Sequence, residues 1–203
     1  MDSQTVSQTG TRVSRKGLYI PLALFGAACL VWTGVWFYAK AKTGEVMDAW
    51  IAREARLGRN WTCPNRHIGG FPFRIDVICD KPAFVSTEPG RAGKGALERL
   101  AVTARVVDPK QIIAVFTAPL SWTADAGDSV AITFDDARAS YRGTAREIEA
   151  FSLDLRKPAI TYSFPDLQPQ TLSASQSELH IRRAPTAEAA VDIAVKASGM
   201  VSE

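Results

Sequence analysis

Hydrophobic and polar side chains alternate most clearly in residues 67–84, HIGGFPFRIDVICDKPAF. The apolar set is Phe71, Phe73, Ile75, Val77 and Cys79, and the set between them is Pro72, Arg74, Asp76, Ile78 and Asp80. A period of two predicts a half-buried β-strand, because successive side chains of a strand point to opposite faces. We therefore expect the first set to face a hydrophobic core, and Arg74 and Asp76 to face away from it.

Period-two alternation returns after a glycine-rich loop at residues 88–95 and continues almost to the end of the chain. Strands are expected around residues 100–107, 111–118, 120–123, 130–134, 137–141, 151–156, 160–164, 171–183 and 191–197. Residues 111–118 are mostly apolar, which predicts a strand covered on both faces, and Pro119 is expected to end it. Closely spaced strands with short turns are typical of an antiparallel meander. The predicted fold class is mainly β, with a curved sheet or an open barrel or groove.

A long uncharged segment precedes the strands and runs from Gly17 to Ala39. As a helix it would span roughly 34 Å, enough to cross the hydrocarbon core of a bilayer. Trp32, Trp36 and Tyr38 cluster near its end, and such amphipathic rings favour the membrane interface. The sequence therefore predicts a transmembrane helix.

We favour an uncleaved signal anchor for residues 17–39, with residues 1–16 as a disordered cytoplasmic tail. Ala39-Lys40-Ala41 also resembles a cleavage site, so a cleaved signal peptide stays open as an alternative, as does a buried helix of a soluble protein. The basic residues before the segment predict that the N-terminus stays in the cytoplasm. The expected location is the bacterial inner membrane, crossed once, with residues 61–203 forming a periplasmic β-rich domain.

Residues 44–58, GEVMDAWIAREARLG, carry a helical pattern. The apolar stripe consists of Val46, Met47, Trp50, Ile51 and Leu57, at spacings of three, four and seven. Gly58 is expected to end this helix. We expect the stripe to pack on the sheet above the strand that follows, and the alternative is a helix lying on the membrane surface.

Cys63 and Cys79 are the cysteines outside the uncharged segment. In an oxidising compartment such an isolated pair predicts a disulfide, which in the chain-entropy model stabilises the fold by about 3 kcal/mol. A metal site that includes His67 is an alternative, but only three ligands are visible. A redox pair is another, but no C-x-x-C motif occurs.

Charge and motifs give little support to catalysis or nucleic-acid binding. Without the three basic residues of the tail and Asp2, the 24 basic and 21 acidic residues become 21 and 20, with no basic stripe. His67 and His180 are the two histidines, and the neighbouring Asp135 and Asp136 would point to opposite faces of a strand. The motifs G-x-S-x-G, H-E-x-x-H and S-x-x-K do not occur. We predict no enzymatic activity, no cofactor, no metal and no nucleic-acid partner.

The string GFPFRIDVICDKPAF, placed after an anchor and an amphipathic helix, resembles the domain of unknown function 2125 family, a membrane-anchored family found mainly in alphaproteobacteria. The matching motif is Gly70, Phe71, Pro72, Phe73 and Arg74, continued by Ile75, Asp76 and Cys79, and Asp108-Pro109 and residues 118–120 also match. The resemblance covers the chain from about residue 15 and implies no assigned activity and no catalytic residues. Family members are usually longer, so we expect the β-domain to be incomplete at its C-terminus. The architecture also resembles the anchored sheets of AsmA-type envelope proteins, which are linked to lipid transport.

Two functions are carried forward and a third is kept open. The first is a non-catalytic, membrane-anchored periplasmic domain that binds a lipid or another apolar ligand in envelope maintenance. The second is a structural or interaction module that pairs with an envelope protein through a sheet edge. An enzyme would require a pocket that brings His67 or His180 together with a carboxylate and a hydroxyl.

Overall fold

The computed structural model describes residues 16–144, 147–184 and 190–202. The elements are α1 (Lys16–Arg56), β1 (Arg59–Thr62), β2 (Asn65–Gly69), β3 (Arg74–Asp80), β4 (Ala83–Ser86), β5 (Gly93–Arg105), β6 (Gln111–Ala124), β7 (Ser129–Thr133), β8 (Asp136–Gly143), β9 (Ile148–Arg156), β10 (Ala159–Ser163), β11 (Gln170–Ser173), β12 (Gln176–Arg183), β13 (Val191–Ser198) and β14 (Val201–Ser202). The 14 strands form one antiparallel sheet that does not close into a barrel, so the predicted mainly β fold is confirmed. The predicted tail at residues 1–16 lies outside the described residues except for Lys16, the first residue of α1.

Most of these strands are halves of longer strands that are interrupted at one level of the sheet. Two residues separate the halves each time: Cys63-Pro64, Lys81-Pro82, Phe134-Asp135, Lys157-Pro158, Ala174-Ser175 and Gly199-Met200. The interruptions lie side by side, because the Lys157 amide donates to Ser175 O and the Ser175 amide donates to Ser198 O, both at 2.9 Å. We call this row of residue pairs the break line. It divides a simple meander into two halves.

The long strands β5 and β6 cross the break line and hold the two halves together. β5 pairs with β3 and β4 on one side, and β6 pairs with β8 and β7 on the other. The pairing of β5 with β6 shifts between Leu97 and Arg99, opposite the cis peptide bond Ala118-Pro119. Pro119 therefore lies inside one continuous strand, and the prediction that it ends a strand is wrong.

The alternation of side chains changes phase at the break line. In β9, Leu153 and Leu155 belong to the apolar face, whereas in β10 the apolar positions are Ile160 and Tyr162. Lys157 between them has φ of 47°, and Lys81 at the matching place between β3 and β4 has φ of 51°. At these two interruptions a left-handed residue followed by proline cannot continue the ladder, so the alternation of side chains starts again in the next strand. Apolar side chains consequently point to the same face in both halves.

The two faces of the sheet differ in composition, most clearly from β8 to β13. One register row on the apolar face contains Val77, Val102, Ala114, Ala139, Leu153, Leu179 and Val195. The neighbouring row on the other face contains Ile78, Ala101, Val115, Arg138, Asp154, Glu178 and Lys196. The predicted strand at residues 111–118 has its Ile113 38% exposed on this second face, so the expectation of cover on both faces is wrong. The apolar side chains on this face of β6 lie beside residues of the neighbouring strands β5 and β8 and are not covered by a second layer of described residues.

One continuous helix replaces the two predicted ones. α1 includes both the uncharged segment and residues 44–56, because nothing between Ala39 and Gly44 breaks a helix and Lys42 pairs with Glu45 at 2.6 Å. The helix ends as predicted before Gly58, whose φ is 78°. Its C-terminal part runs beside the first strands, where Arg66 of β2 donates to Asp48 at 2.7 Å. This hydrogen bond holds the pKa of the Asp48 carboxyl below its usual range. A membrane-length helix is thus joined to the sheet without a linker.

The predicted strand at residues 71–80 begins only at Arg74. Ile75 and Cys79 are buried as expected, at 8% and 6% exposure, but Phe71 and Phe73 are 54% and 64% exposed in the turn between β2 and β3. The expectation that both phenylalanines face the core is therefore wrong. Gly70, with φ of 98°, turns the chain here before a β-strand can form.

The predicted Cys63–Cys79 disulfide is confirmed, with the two Cα atoms 5.6 Å apart. Cys63 lies on the break line between β1 and β2, and Cys79 lies near the end of β3. The bond therefore joins the first interrupted strand to the second, next to the C-terminal part of α1. Cys29 of α1 is the free cysteine among the described residues.

Removing this disulfide should destabilise the sheet without unfolding α1. Closing a loop of 16 residues contributes about 3 kcal/mol in the chain-entropy model, so Cys63→Ser and Cys79→Ser should each lower the free energy of unfolding by that amount. Urea titration of the full-length protein in detergent, followed by tryptophan fluorescence, measures the change. Cys29→Ser is the matched control and should leave the urea midpoint unchanged. A reducing agent that shifts no midpoint in the wild type would contradict the prediction.

Candidate functional site

A cavity of about 620 Å³ lies between α1 and the apolar face of the sheet, where the two halves of the sheet meet. We call it the apolar groove. Its lining consists of Met47, Trp50, Ile51, Trp61, Thr62, Cys63, Val77, Cys79, Pro82, Ala83, Phe84, Gly95, Ala96, Leu97, Leu100, Val102, Phe116, Leu120, Ser121 and Trp122. The volume is within the range of about 300–1,000 Å³ that is usual for small-molecule sites.

The helical wall of the groove is built by three residues of the predicted stripe. Met47, Trp50 and Ile51 line the cavity, whereas Val46 and Leu57 are 65% and 53% exposed. The stripe is therefore narrower than predicted, because α1 meets the sheet edge along β1 and β2 and does not lie flat over its centre. The helix closes one side of the groove and leaves the rest of the apolar face uncovered by any described element.

One end of the groove is closed by four aromatic rings in a row. Ring centroids are 5.5 Å apart for Trp50 and Trp61, 4.4 Å for Trp61 and Phe84, and 5.7 Å for Phe84 and Trp122. Gly95 of β5 lies beneath the Trp122 ring, and a Cβ added at this residue would lie 3.1 Å from the ring. The glycine lets the indole lie directly on the backbone. The row connects the helix to β6 and stabilises that end of the groove.

The lining gives the groove almost no polar chemistry. Thr62 and Ser121 supply hydroxyls, and none of the lining residues is charged. Such a surface can bind alkyl or aromatic groups by excluding water, but it offers no acid, base or anion-binding group. The chemistry that the site supports is apolar binding.

Charged groups lie outside the groove, at the junction of helix and sheet. Arg59 donates to Glu54 of α1 and to Glu88 of the loop after β4, both at 2.6 Å. These hydrogen bonds raise the pKa of Arg59 and hold the pKa of the Glu54 carboxyl below its usual range. The three side chains connect the end of α1 to the end of the sheet that lies farthest from the turn between β2 and β3. We call this the distal end of the sheet.

The residues considered for chemistry are dispersed. His67 is exposed on β2, and His180 of β12 lies 3.5 Å from Glu178. Asp135 pairs with Lys157 at 2.8 Å, which raises the pKa of Lys157, and Asp136 is 3.7 Å from Arg138. In the described parts of the chain, no group of three or more His, Cys, Asp or Glu residues could hold a metal ion.

The signature motif at residues 70–76 forms the turn and the first part of β3, on the side of the break line away from Arg59. Arg74 approaches Asp76 at 3.4 Å, and Asp76 accepts a hydrogen bond from Thr103 of β5 at 2.8 Å. Both are on the face opposite Ile75, as predicted. Two indole N–H groups of α1 bind this turn: Trp32 donates to Pro72 O at 2.9 Å and Trp36 donates to Arg74 O at 2.8 Å.

Two features escaped the sequence patterns. The hydrogen bonds from Trp32 and Trp36 to the turn depend on tertiary geometry. The sequence contains only a weak signal for them, namely that it has both tryptophans in the helix and a Gly-Phe-Pro-Phe turn. The break line leaves a clearer signal, since residues 80–84 (DKPAF) and 156–160 (RKPAI) share a Lys-Pro-Ala core at equivalent interruptions. Comparing the phase of the alternation before and after each core could have revealed it.

Comparison with known proteins shows the family of this chain. The model of a family described as "Uncharacterized protein conserved in bacteria (DUF2125)" matches residues 36–203, which confirms the resemblance seen in the motif. No curated protein and no solved structure matches the chain.

Proposed function

This chain belongs to the DUF2125 family, and we propose that it is a membrane-anchored, non-catalytic domain that binds the acyl chains of a lipid in the apolar groove. The observation that carries the proposal is the lining of the groove, which combines a ligand-sized volume of about 620 Å³ with no charged side chain. Each methylene that leaves water for such a lining contributes about 0.8 kcal/mol.

The position of the groove supports a lipid as the ligand. α1 contains a segment that is long and apolar enough to cross a bilayer, and its continuation supplies Met47, Trp50 and Ile51 to the groove. The site is therefore within a few helical turns of the place where α1 would leave the membrane. A bilayer lipid is the apolar molecule present there at the highest concentration.

The apolar face extends the groove beyond α1. Ile112, Tyr141, Phe151, Ile181 and Ile193 continue it across β6, β8, β9, β12 and β13. This stretch gives a long alkyl chain a continuous apolar path. The Cys63–Cys79 disulfide supports an oxidising compartment, and we place the sheet in the periplasm and its role in maintenance of the cell envelope.

A photo-crosslinker on adjacent residues of β6 tests lipid binding in native membranes. Phe116 lines the groove, whereas Thr117 is exposed on the opposite face. Benzoylphenylalanine at residue 116 should yield several-fold more lipid adduct than at residue 117, measured as the mass of the purified, irradiated protein. Equal yields at both positions, or no adduct at residue 116 in protein with an intact disulfide, would reject the groove as a lipid site.

A second candidate function is pairing with another envelope protein through β13. All eight residues of this edge strand are exposed, and Val191, Ile193 and Val195 are 52%, 63% and 76% exposed. An edge strand offers unpaired N–H and C=O groups to an added strand. The partner would be an extended segment whose alternate apolar side chains continue the apolar face.

Crosslinking in register tests this second function. Benzoylphenylalanine at residues 191, 193 and 195 should attach to alternate residues of one segment of one partner, because strand pairing fixes the register. Phe164, 46% exposed at the distal end of the sheet, is the control position and should not attach to that segment. Attachment sites scattered over several segments would show that β13 does not act as a pairing edge.

A further inference from the structure

We infer that the turn between β2 and β3, residues 70–73, inserts into the membrane beside α1 and fixes the sheet against the bilayer surface. This inference rests on the part of the proposed function that makes α1 a membrane anchor, and it is independent of lipid binding in the groove. We call residues 70–73 the membrane turn. Its partner is the interfacial region of the bilayer itself.

The depth of the membrane turn follows from its contacts with α1. It is bound to Trp32 and Trp36, which precede Lys40, the first charged residue after the uncharged segment. At 1.5 Å per residue, Trp36 is ~6 Å and Trp32 ~12 Å along the helix from Lys40 towards the membrane. If the uncharged segment spans the bilayer, the turn is held below the level at which the charged residues of α1 begin.

The side chains at this level match the membrane interface. Phe71 packs edge-on against Trp36 with ring centroids 5.3 Å apart, and the ring centroids of Phe73 and Trp32 are 6.0 Å apart. Both phenylalanines nevertheless remain more than half exposed. Phe37 of α1, whose ring centroid lies 5.2 Å from that of Trp36, is 57% exposed. Exposed aromatic rings in a cluster are unfavourable in water and favourable at the lipid–water boundary.

The backbone of the membrane turn is suited to an environment with little water. Gly70 O accepts from the Arg74 amide at 3.1 Å, and Phe73 O accepts from the Val106 amide at 3.0 Å. Pro72 O and Arg74 O accept the two indole N–H groups, and Pro72 has no N–H to satisfy. A segment that enters a bilayer must satisfy such groups within the protein, and three of the four carbonyl groups of residues 70–73, together with Arg74 O beside them, accept hydrogen bonds.

Basic side chains lie at the base of the turn, where Arg74 also approaches Asp76 at 3.4 Å. Arg74 pairs across the ladder with Arg105 of β5, and Lys110 follows in the next turn of the same end of the sheet. The Lys40 amine lies 5.6 Å from the Trp36 ring. Long basic side chains at this height can reach lipid phosphates while their stems stay on the aromatic cluster. The arrangement fits a surface that contains anionic lipid.

Spin labels at three positions of similar exposure test the depth. Leu24 of α1, Phe73 of the membrane turn and Leu167 at the distal end of the sheet are 66%, 64% and 66% exposed in the protein. Each is replaced by cysteine in the full-length Cys29→Ser protein, with the native disulfide kept, in vesicles of phosphatidylethanolamine and phosphatidylglycerol. The readout is the ratio of collision rates with oxygen and with a water-soluble nickel complex.

The ratio should be several-fold higher at residues 24 and 73 than at residue 167. A membrane-like ratio at residue 24 with an aqueous one at residue 73 would overturn the membrane turn and leave the anchor intact. An aqueous ratio at residue 24 would overturn the anchor and, with it, the inference. A label at Val107, which is 72% exposed in the neighbouring turn, measures the depth without changing residues 70–73. A collision ratio at residue 107 equal to that at residue 167 would also contradict the inference.

Discussion

The apolar face of a single antiparallel sheet must be kept out of water, and the rest of the structure depends on how this is done. α1 packs along the first strands and covers one side of the face, which creates the apolar groove with Trp50, Trp61 and Phe84 at one end. No second layer of described residues covers the remaining strands. Hydrophobic burial is therefore incomplete within the described residues, and an apolar molecule bound to this face would stabilise the fold.

The break line allows one helix to cover apolar side chains from both halves of the sheet. Interruptions such as Lys81-Pro82 and Lys157-Pro158 change the phase of the alternation and keep apolar side chains on one face on either side. Irregularities of this kind bend a sheet and increase its twist. The groove lies at this line, so its lining includes Val77 and Phe116 from one half and Phe84 and Trp122 from the other.

The sequence predicts the elements better than their assembly. The period of two identifies most strands and assigns Ile75, Arg74 and Asp76 to the correct faces, because alternation is a local property. It fails at Phe71 and Phe73, where the left-handed Gly70 and the two indole hydrogen bonds form a turn. The continuous helix was also missed, because the change from an apolar segment to an amphipathic one looks like a boundary although no residue there ends a helix.

Only the apolar character of the groove and its helical cover could be predicted from the sequence. Alternating strands and a helical stripe indicate an apolar face and a cover, but the lining combines residues from α1, β1 and β3 to β6 that no local pattern places together. The disulfide is the exception, since the two cysteines outside the uncharged segment allow one pairing. The His and Asp residues considered for catalysis remain dispersed over the described sheet, and the absence of enzymatic activity stays a prediction.

Native mass spectrometry of the full-length protein, released from lipid nanodiscs, tests the central claim most directly. We predict a population with one bound lipid that is lost in Val102→Trp, which fills the groove, and kept in Ala101→Trp, which places the same ring on the opposite face of β5. Folded wild-type protein without lipid, or equal lipid retention by both variants, would contradict the account.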